Sequence, residues 1–191
     1  ATDDADPLNV TRGGRNLKDI HYYYTKLTYD YRGRMMVSPS IYYNRTNNAV
    51  SMGYVYDKAT GRRTVTPASI NGNWRAGAGL SLSGALDKKR LLMFSNNLNA
   101  DFVNSADYIG SDEAKPMGKS IVKTWNVSER LRLAYKIGRH SSGFSGTFSW
   151  LRSASDMAAF STINAYNYNY GLTGMVVLPG EVNLSTDITM Y

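Results

Sequence analysis

The stretch YNYNYGLTGMVVLPGEVNLSTDITM, Tyr166 to Met190, alternates so strictly that it leaves little choice of local structure. Every second residue gives Tyr166, Tyr168, Tyr170, Leu172, Gly174, Val176 and Leu178, then Val182, Leu184, Thr186, Ile188 and Met190. Between them stand Asn167, Asn169, Gly171, Thr173 and Met175, then Asn183, Ser185, Asp187 and Thr189. Successive side chains of a strand point to opposite faces, so this is a pair of strands, each with one apolar and one polar face. Pro179-Gly180 joins them as a tight turn, since proline presets the turn dihedral and glycine tolerates a positive one. What remains open is whether a protein core or lipid covers the apolar face.

The same grammar repeats toward the N-terminus. His21 to Tyr31 places Tyr23, Thr25, Leu27, Tyr29 and Tyr31 opposite Tyr24, Lys26, Thr28 and Asp30, and Arg32-Gly33 turns the chain. Met35 to Tyr43 alternates in the same way, with Pro39 predicting a bulge or an unpaired position because proline has no ladder donor. The pattern weakens toward Asp57. Trp74 to Leu86 is the cleanest run: Trp74, Ala76, Ala78, Leu80 and Leu82 oppose Arg75, Gly77, Gly79, Ser81 and Ser83. After Asp87 to Lys89, Leu92, Phe94, Leu98, Ala100 and Phe102 alternate with Met93, Ser95, Asn97, Asn99 and Asp101, and Asn96 interrupts the apolar row. Trp125, Val127, Leu131, Leu133 and Tyr135 alternate with Thr124, Asn126, Ser128, Arg130 and Arg132, with Glu129 on the apolar side. Gly138 to Gly143 is the next turn, before Phe144, Phe148 and Trp150.

These runs predict about eight sequential antiparallel strands. Short turns near Arg32-Gly33, Asp87-Lys88, Arg139-His140 and Pro179-Gly180 take turns with longer connections near Lys58 to Gly61, Ser105 to Gly118 and Ser153 to Ala165, the last with room for a helical turn. Short turns at one end and longer loops at the other are the habit of transmembrane β-barrels, with the short turns periplasmic. The segments run roughly 11 to 24 residues, against about 5 to 6 for an ordinary strand and about 9 to 11 for a bilayer crossing.

Composition agrees. Fifteen tyrosines, 17 glycines and only 19% charged residues suit sheet better than a helical bundle. The absence of cysteine excludes disulfides and thiolate metal sites. No run of 18 apolar residues offers a membrane-spanning helix. No basic-plus-apolar signal peptide opens the chain, as for a mature protein, an internal fragment or a cytosolic one. The net charge of +7 raises nucleic acid as a partner, but the basic residues are scattered rather than gathered in a stripe.

The expectation is therefore an all-β, antiparallel, up-and-down transmembrane β-barrel segment over residues 17-191, preceded by a polar leader at 1-16. Its polar face, small and hydrated, suits a wet lumen or a plug contact; Lys26, Arg75, Arg130 and Arg132 are its lumen-facing candidates. Trp74, Trp125, Trp150, Tyr166, Tyr168 and Tyr170 are candidates for an interfacial aromatic girdle. The alternative is a soluble β-sandwich binding module whose Tyr and Trp would stack on sugar rings.

Several phrases also resemble a known family. DPLNVTRGGRNLKDIHYYYTKLTYDY, Asp6 to Tyr31, resembles the segment that introduces a barrel strand in Bacteroidetes-type TonB-dependent receptor-like outer-membrane proteins. The family's NPxLKP-like phrase reads GRNLKD here, Gly14 to Asp19, with arginine and aspartate in place of the prolines. RTNNAV (Arg45 to Val50), NGNW (Asn71 to Trp74), LDKKR (Leu86 to Arg90) and LPGEVNLSTDITMY (Leu178 to Tyr191) are similar to its hairpins. The resemblance implies a late part of a large outer-membrane barrel for uptake or binding of an external nutrient. It also implies TonB, a plug and a surface lipoprotein as partners through parts outside these residues. Eight strands closing a small, side-chain-filled barrel is a lesser possibility.

Catalysis has little support. His21 and His140 are the only histidines and neither has a second ligand at metal spacing. His140, Ser141 and Asp156 lack a nucleophile-elbow context, and Lys58 to Arg63 lacks Walker spacing. Asp107, Asp112 and Glu113 could collect calcium but read better as solvated loop residues. No enzyme, metal or cofactor is expected. The functional feature is the arginine set on the polar face, which would bias the lumen toward anions unless Asp30, Asp101 and Asp187 on the same face neutralise it.

Overall fold

The computed structural model describes residues 2–6, 8–14, 16–109, 111–112, 118–157 and 160–190. Among these residues every regular element is a strand: β1 Thr2–Asp6, β2 Asn9–Arg12, β3 His21–Thr28, β4 Tyr31–Arg32, β5 Met35–Asn47, β6 Ala49–Asp57 and β7 Arg62–Ile70. They continue with β8 Asn73–Ala85, β9 Leu92–Ile109, β10 Ser111–Asp112, β11 Gly118–Ile137, β12 His140–Ser155, β13 Ile163–Val177 and β14 Asn183–Met190.

The larger sheet runs in the order β14-β13-β12-β11-β9-β8-β5-β3, with β4 carrying β3 onward along β5. Each neighbour is antiparallel and next in line among the sheet's strands, which is the up-and-down meander expected from the alternation. The ladder keeps the faces in phase: Ile41, Ala78, Ala100, Val127, Trp150 and Tyr166 form one cross-strand row, and Tyr42, Gly77, Asp101, Asn126, Leu151 and Ala165 the row beside it on the other face. A slip of one residue anywhere would mix them. β11 holds 20 residues and β9 holds 18, well beyond the roughly 9 to 11 that a tilted strand needs to cross a bilayer. The edge strands β3 and β14 do not pair with one another, so the sheet is open, not a closed eight-stranded barrel.

The short turns fall where the sequence puts them. At the first, Gly33 N–H donates to the Met35 carbonyl at 3.2 Å. At the second, the Asp87 carboxylate accepts the Leu92 N–H at 2.9 Å, which draws its pKa below the ordinary carboxylate value. Gly138 (φ 58°) and Gly180 (φ 83°) take the left-handed conformation at the third and fourth. Pro39 keeps its place opposite Leu80, but the edge ladder breaks beside it: β3 ends at Thr28, β4 resumes at Tyr31, and Tyr29 N–H donates to the Pro39 carbonyl at 3.0 Å.

The opposite end differs from expectation. Residues 58–61 are the tight turn of a hairpin, β6–β7, and the Asp57 carboxylate closes it on the Thr60 hydroxyl and, at 2.8 Å, the Ala59 N–H. That pair is the centre of a second sheet, β1-β2-β7-β6-β10. The chain leaves the large sheet at Asn48, in the left-handed region (φ 55°), so the period that fades after Tyr43 marks a change of sheet. The leader residues supply β1 and β2, which add to β7. Ser105 is not the start of a loop: β9 and β11 stay paired out to Ile109 and Gly118. Glu113 lies outside the described residues. Between β12 and β13, Phe160 N–H donates to the Met157 carbonyl at 3.1 Å.

Burial is concentrated at this end. Val10 and Ile70 from the small sheet and Ala106 from β9 are buried, with the polar Ser51, Asn104 and Ser120. The Asn104 amide donates to the Gly72 carbonyl at 2.7 Å, and Asp107 accepts the Ser51 hydroxyl, which ties the small sheet to β9. Most of the large sheet's apolar face has no such cover.

Candidate functional site: the polar face of the large sheet

One face of the large sheet is apolar and open. Leu27, Ile41, Leu172 and Leu184 are each more than half exposed. Toward the long-loop ends four rings abut across four strands: Tyr43 to Trp74 at 6.1 Å, Trp74 to Phe102 at 5.0 Å and Phe102 to Trp125 at 4.6 Å between centroids. Trp150 lies on the same face opposite Tyr166, and its indole N–H donates to Asn164 at 3.1 Å. Tyr168 and Tyr170 follow down β13 opposite Phe148 and Gly146.

The other face is the site. Arg75, on β8, pairs with Asp101, on β9, at 2.9 Å, and Tyr42, on β5, donates its hydroxyl to the same carboxylate. Gly77 lies between: a Cβ there would stand 2.6 Å from the Tyr42 ring. At Gly79 a Cβ would be 3.0 Å from Asn99 Oδ1 and 3.0 Å from Ser40 Oγ. The Ala-Gly-Ala-Gly run of β8 is thus the floor over which side chains of flanking strands reach one another. The Arg75 guanidinium stands 5.4 Å from the Tyr42 ring centroid, within cation–π range.

Arg130 and Arg132 point from the same face of β11. Neither has a carboxylate partner among the described residues. Arg130 borders a concavity of about 400 Å³ with Asn97, Asn99, Thr147, Asn167 and Asn169. Arg132 borders one of about 520 Å³ at the short-turn end, with Arg34, Arg90 and Met93. Lys26 stands on β3 opposite Tyr42. All four cations read from the sequence therefore share the polar face, and one of the three aspartates, Asp101, neutralises one of them. Arg34 and Arg90 were missed because they lie in or next to turns, where alternation assigns no face. Tyr42 was missed as a partner because it needs the β5–β8–β9 register.

No group of histidines and carboxylates able to hold a metal occurs among the described residues. His140 and Asp156 stand at opposite ends of β12, and His140 Nδ1 accepts the Val177 N–H at 3.2 Å. Asp107 is occupied by Ser51 and by its neighbour Tyr108 N–H at 2.9 Å.

Residues 1–187 match the model of an outer membrane protein beta-barrel family. The chain belongs to that family. No curated protein and no solved structure matches it. As an outer-membrane β-barrel protein of bacteria it is embedded in the membrane, where lipid suits the apolar face of a strand and a wet lumen its polar face. Between the two edge strands the backbone N–H and C=O groups of the large sheet pair from strand to strand, as a lipid environment demands. The stacked-sandwich alternative fails, since among the described residues the small sheet packs on β9 at one end and leaves the apolar face bare.

Proposed function

We propose that these strands are part of the wall of a TonB-dependent receptor-like barrel that takes up or binds an external nutrient, without catalysis. The observation that supports it is the lumen face: Arg130 and Arg132, free of carboxylates among the described residues, stand over two concavities, the first edged by asparagine, serine and threonine and the second by Arg34, Arg90, Ser83 and Ser95. Amides and hydroxyls offer both donors and acceptors to a hydrated solute, and guanidinium adds preference for anionic groups. The small sheet stands at the end opposite the four short turns, the end that a barrel turns outward, where a receptor meets its ligand. TonB and a surface lipoprotein would engage parts of the protein beyond these residues. The test is replacement of Arg130 and Arg132 by glutamine in the full-length protein. The reading expects single-channel anion preference or nutrient affinity to fall, and is abandoned if both stay unchanged.

A further inference from the structure

Two residues break the lipid-facing row, Asn96 on β9 and Glu129 on β11, and they break it together. Asn96 stands opposite Leu131 and Leu82; Glu129 stands opposite Leu98 and Phe148. They are diagonal neighbours, and Asn96 Nδ2 donates to Glu129 Oε1 at 2.7 Å. Along β11, Glu129 comes four residues after Trp125 and six before Tyr135, about 13 Å along the strand from the aromatic row at 3.3 Å per residue, or about 10 Å of depth at the usual barrel tilt. Leu98, Leu131 and Val127 surround it on the same face. A carboxylate at that depth is costly against hydrocarbon and is a mark of function.

The pair is only half satisfied by itself. Asn96 retains a second N–H and its carbonyl oxygen; Glu129 retains Oε2. That leaves a donor beside acceptors on one patch, a set complementary to itself. Two copies related by a two-fold axis along the membrane normal would bring the patch opposite its own equivalent at equal depth, as an isologous contact requires. The free amide N–H of each copy would then reach the free carboxylate oxygen of the other. Ala100 and Gly146 on the same face let the walls approach closely. A foreign cationic segment would match Glu129 alone and leave the Asn96 donor idle.

We propose that the β9–β11 wall is the contact between two copies of this protein in the outer membrane, built on the Asn96–Glu129 pair. This rests on the lipid-facing assignment of that face and not on the nutrient-uptake reading. These residues include no cysteine, so a Leu98→Cys substitution in the full-length protein, with any cysteine beyond these residues replaced by serine, gives a clean probe in native outer membranes. Oxidative cross-linking is expected to yield a species of twice the protein's mass containing only this protein. Adding Asn96→Leu and Glu129→Leu should reduce that species at least tenfold, and Glu129→Gln, which keeps a hydrogen-bonding end, should retain it. Unboiled electrophoretic mobility reports that each variant is folded. No self-cross-link, a cross-link to a different protein, or a self-cross-link indifferent to the double substitution in a folded barrel would overturn the proposal.

Discussion

Tyr42 and Asp101 lie on strands that do not touch, and they meet by a hydroxyl–carboxylate hydrogen bond passing over Gly77 of the strand between. A side chain at position 77 would have to displace both. Gly77→Val should therefore destabilise the barrel by about 1–3 kcal/mol, the usual cost of overpacking. Urea unfolding in lipid vesicles measures it. Unchanged stability would mean that the bridge is not held in the folded barrel.

Opposite faces of one strand should respond oppositely to charge. Leu131→Lys places an ammonium on the lipid side of β11 and should cost about 2–4 kcal/mol near the midplane. Ser128→Lys, three positions away on the lumen side, should cost well under half as much. Equal losses at the two sites, measured by the same unfolding experiment, would contradict the facing assigned here.

The ring row at the long-loop ends gives a smaller effect. Phe102 touches Trp74 at 5.0 Å and Trp125 at 4.6 Å. Phe102→Leu keeps an apolar side chain but loses both ring contacts, and should cost about 0.5–1.5 kcal/mol per pair. A double-mutant cycle with Trp125→Leu isolates one pair, and a coupling near zero would remove the row from the account.

Acid should loosen the second short turn. The Asp87 carboxylate is held below its ordinary value of 3.8 chiefly by the Leu92 N–H. A carboxylate with a depressed folded pKa contributes stability that is complete above the unfolded pKa and is lost as pH falls through the folded one. Leu92 amide protection against hydrogen exchange should thus hold from neutral pH to about 4 and fall below it. In Asp87→Asn that protection should not change with pH beyond the intrinsic exchange rate.

How much of this was legible in the sequence depends on whether the two faces of a strand see different solvents. Along β3, β8 and the inner parts of β9, β11, β12, β13 and β14 one face is apolar and the other polar, so alternation marked the large sheet's strands and the shared face of Lys26, Arg75, Arg130 and Arg132. Beyond the aromatic row that contrast ends. The outer arms of β9 and β11, out to Ile109 and Gly118, are polar or mixed on both faces and read as a loop, and in the equally mixed β6–β7 hairpin the pattern only weakened toward Asp57 before a connection at Lys58 to Gly61. Ion pairing needs register as well as facing. Arg75 and Asp101 stand on adjacent strands and meet, whereas Asp30, between β3 and β4 at one edge, and Asp187, on the edge strand β14, lie where Arg130 and Arg132, on the central β11, cannot reach. Asn96 and Glu129 were visible as separate exceptions, but only the β9–β11 ladder shows that each is the other's partner.

The central claim is that β11 crosses the outer membrane with Val127, Leu131 and Leu133 in lipid and Asn126, Ser128, Arg130 and Arg132 in the lumen. Single cysteines at these seven positions in the full-length protein, introduced one at a time and labelled with a fluorophore in reconstituted vesicles, test it most directly. The account predicts quenching by a bilayer-embedded nitroxide at 127, 131 and 133, and quenching by aqueous iodide at 126, 128, 130 and 132. Aqueous quenching of equal strength at all seven positions would contradict it.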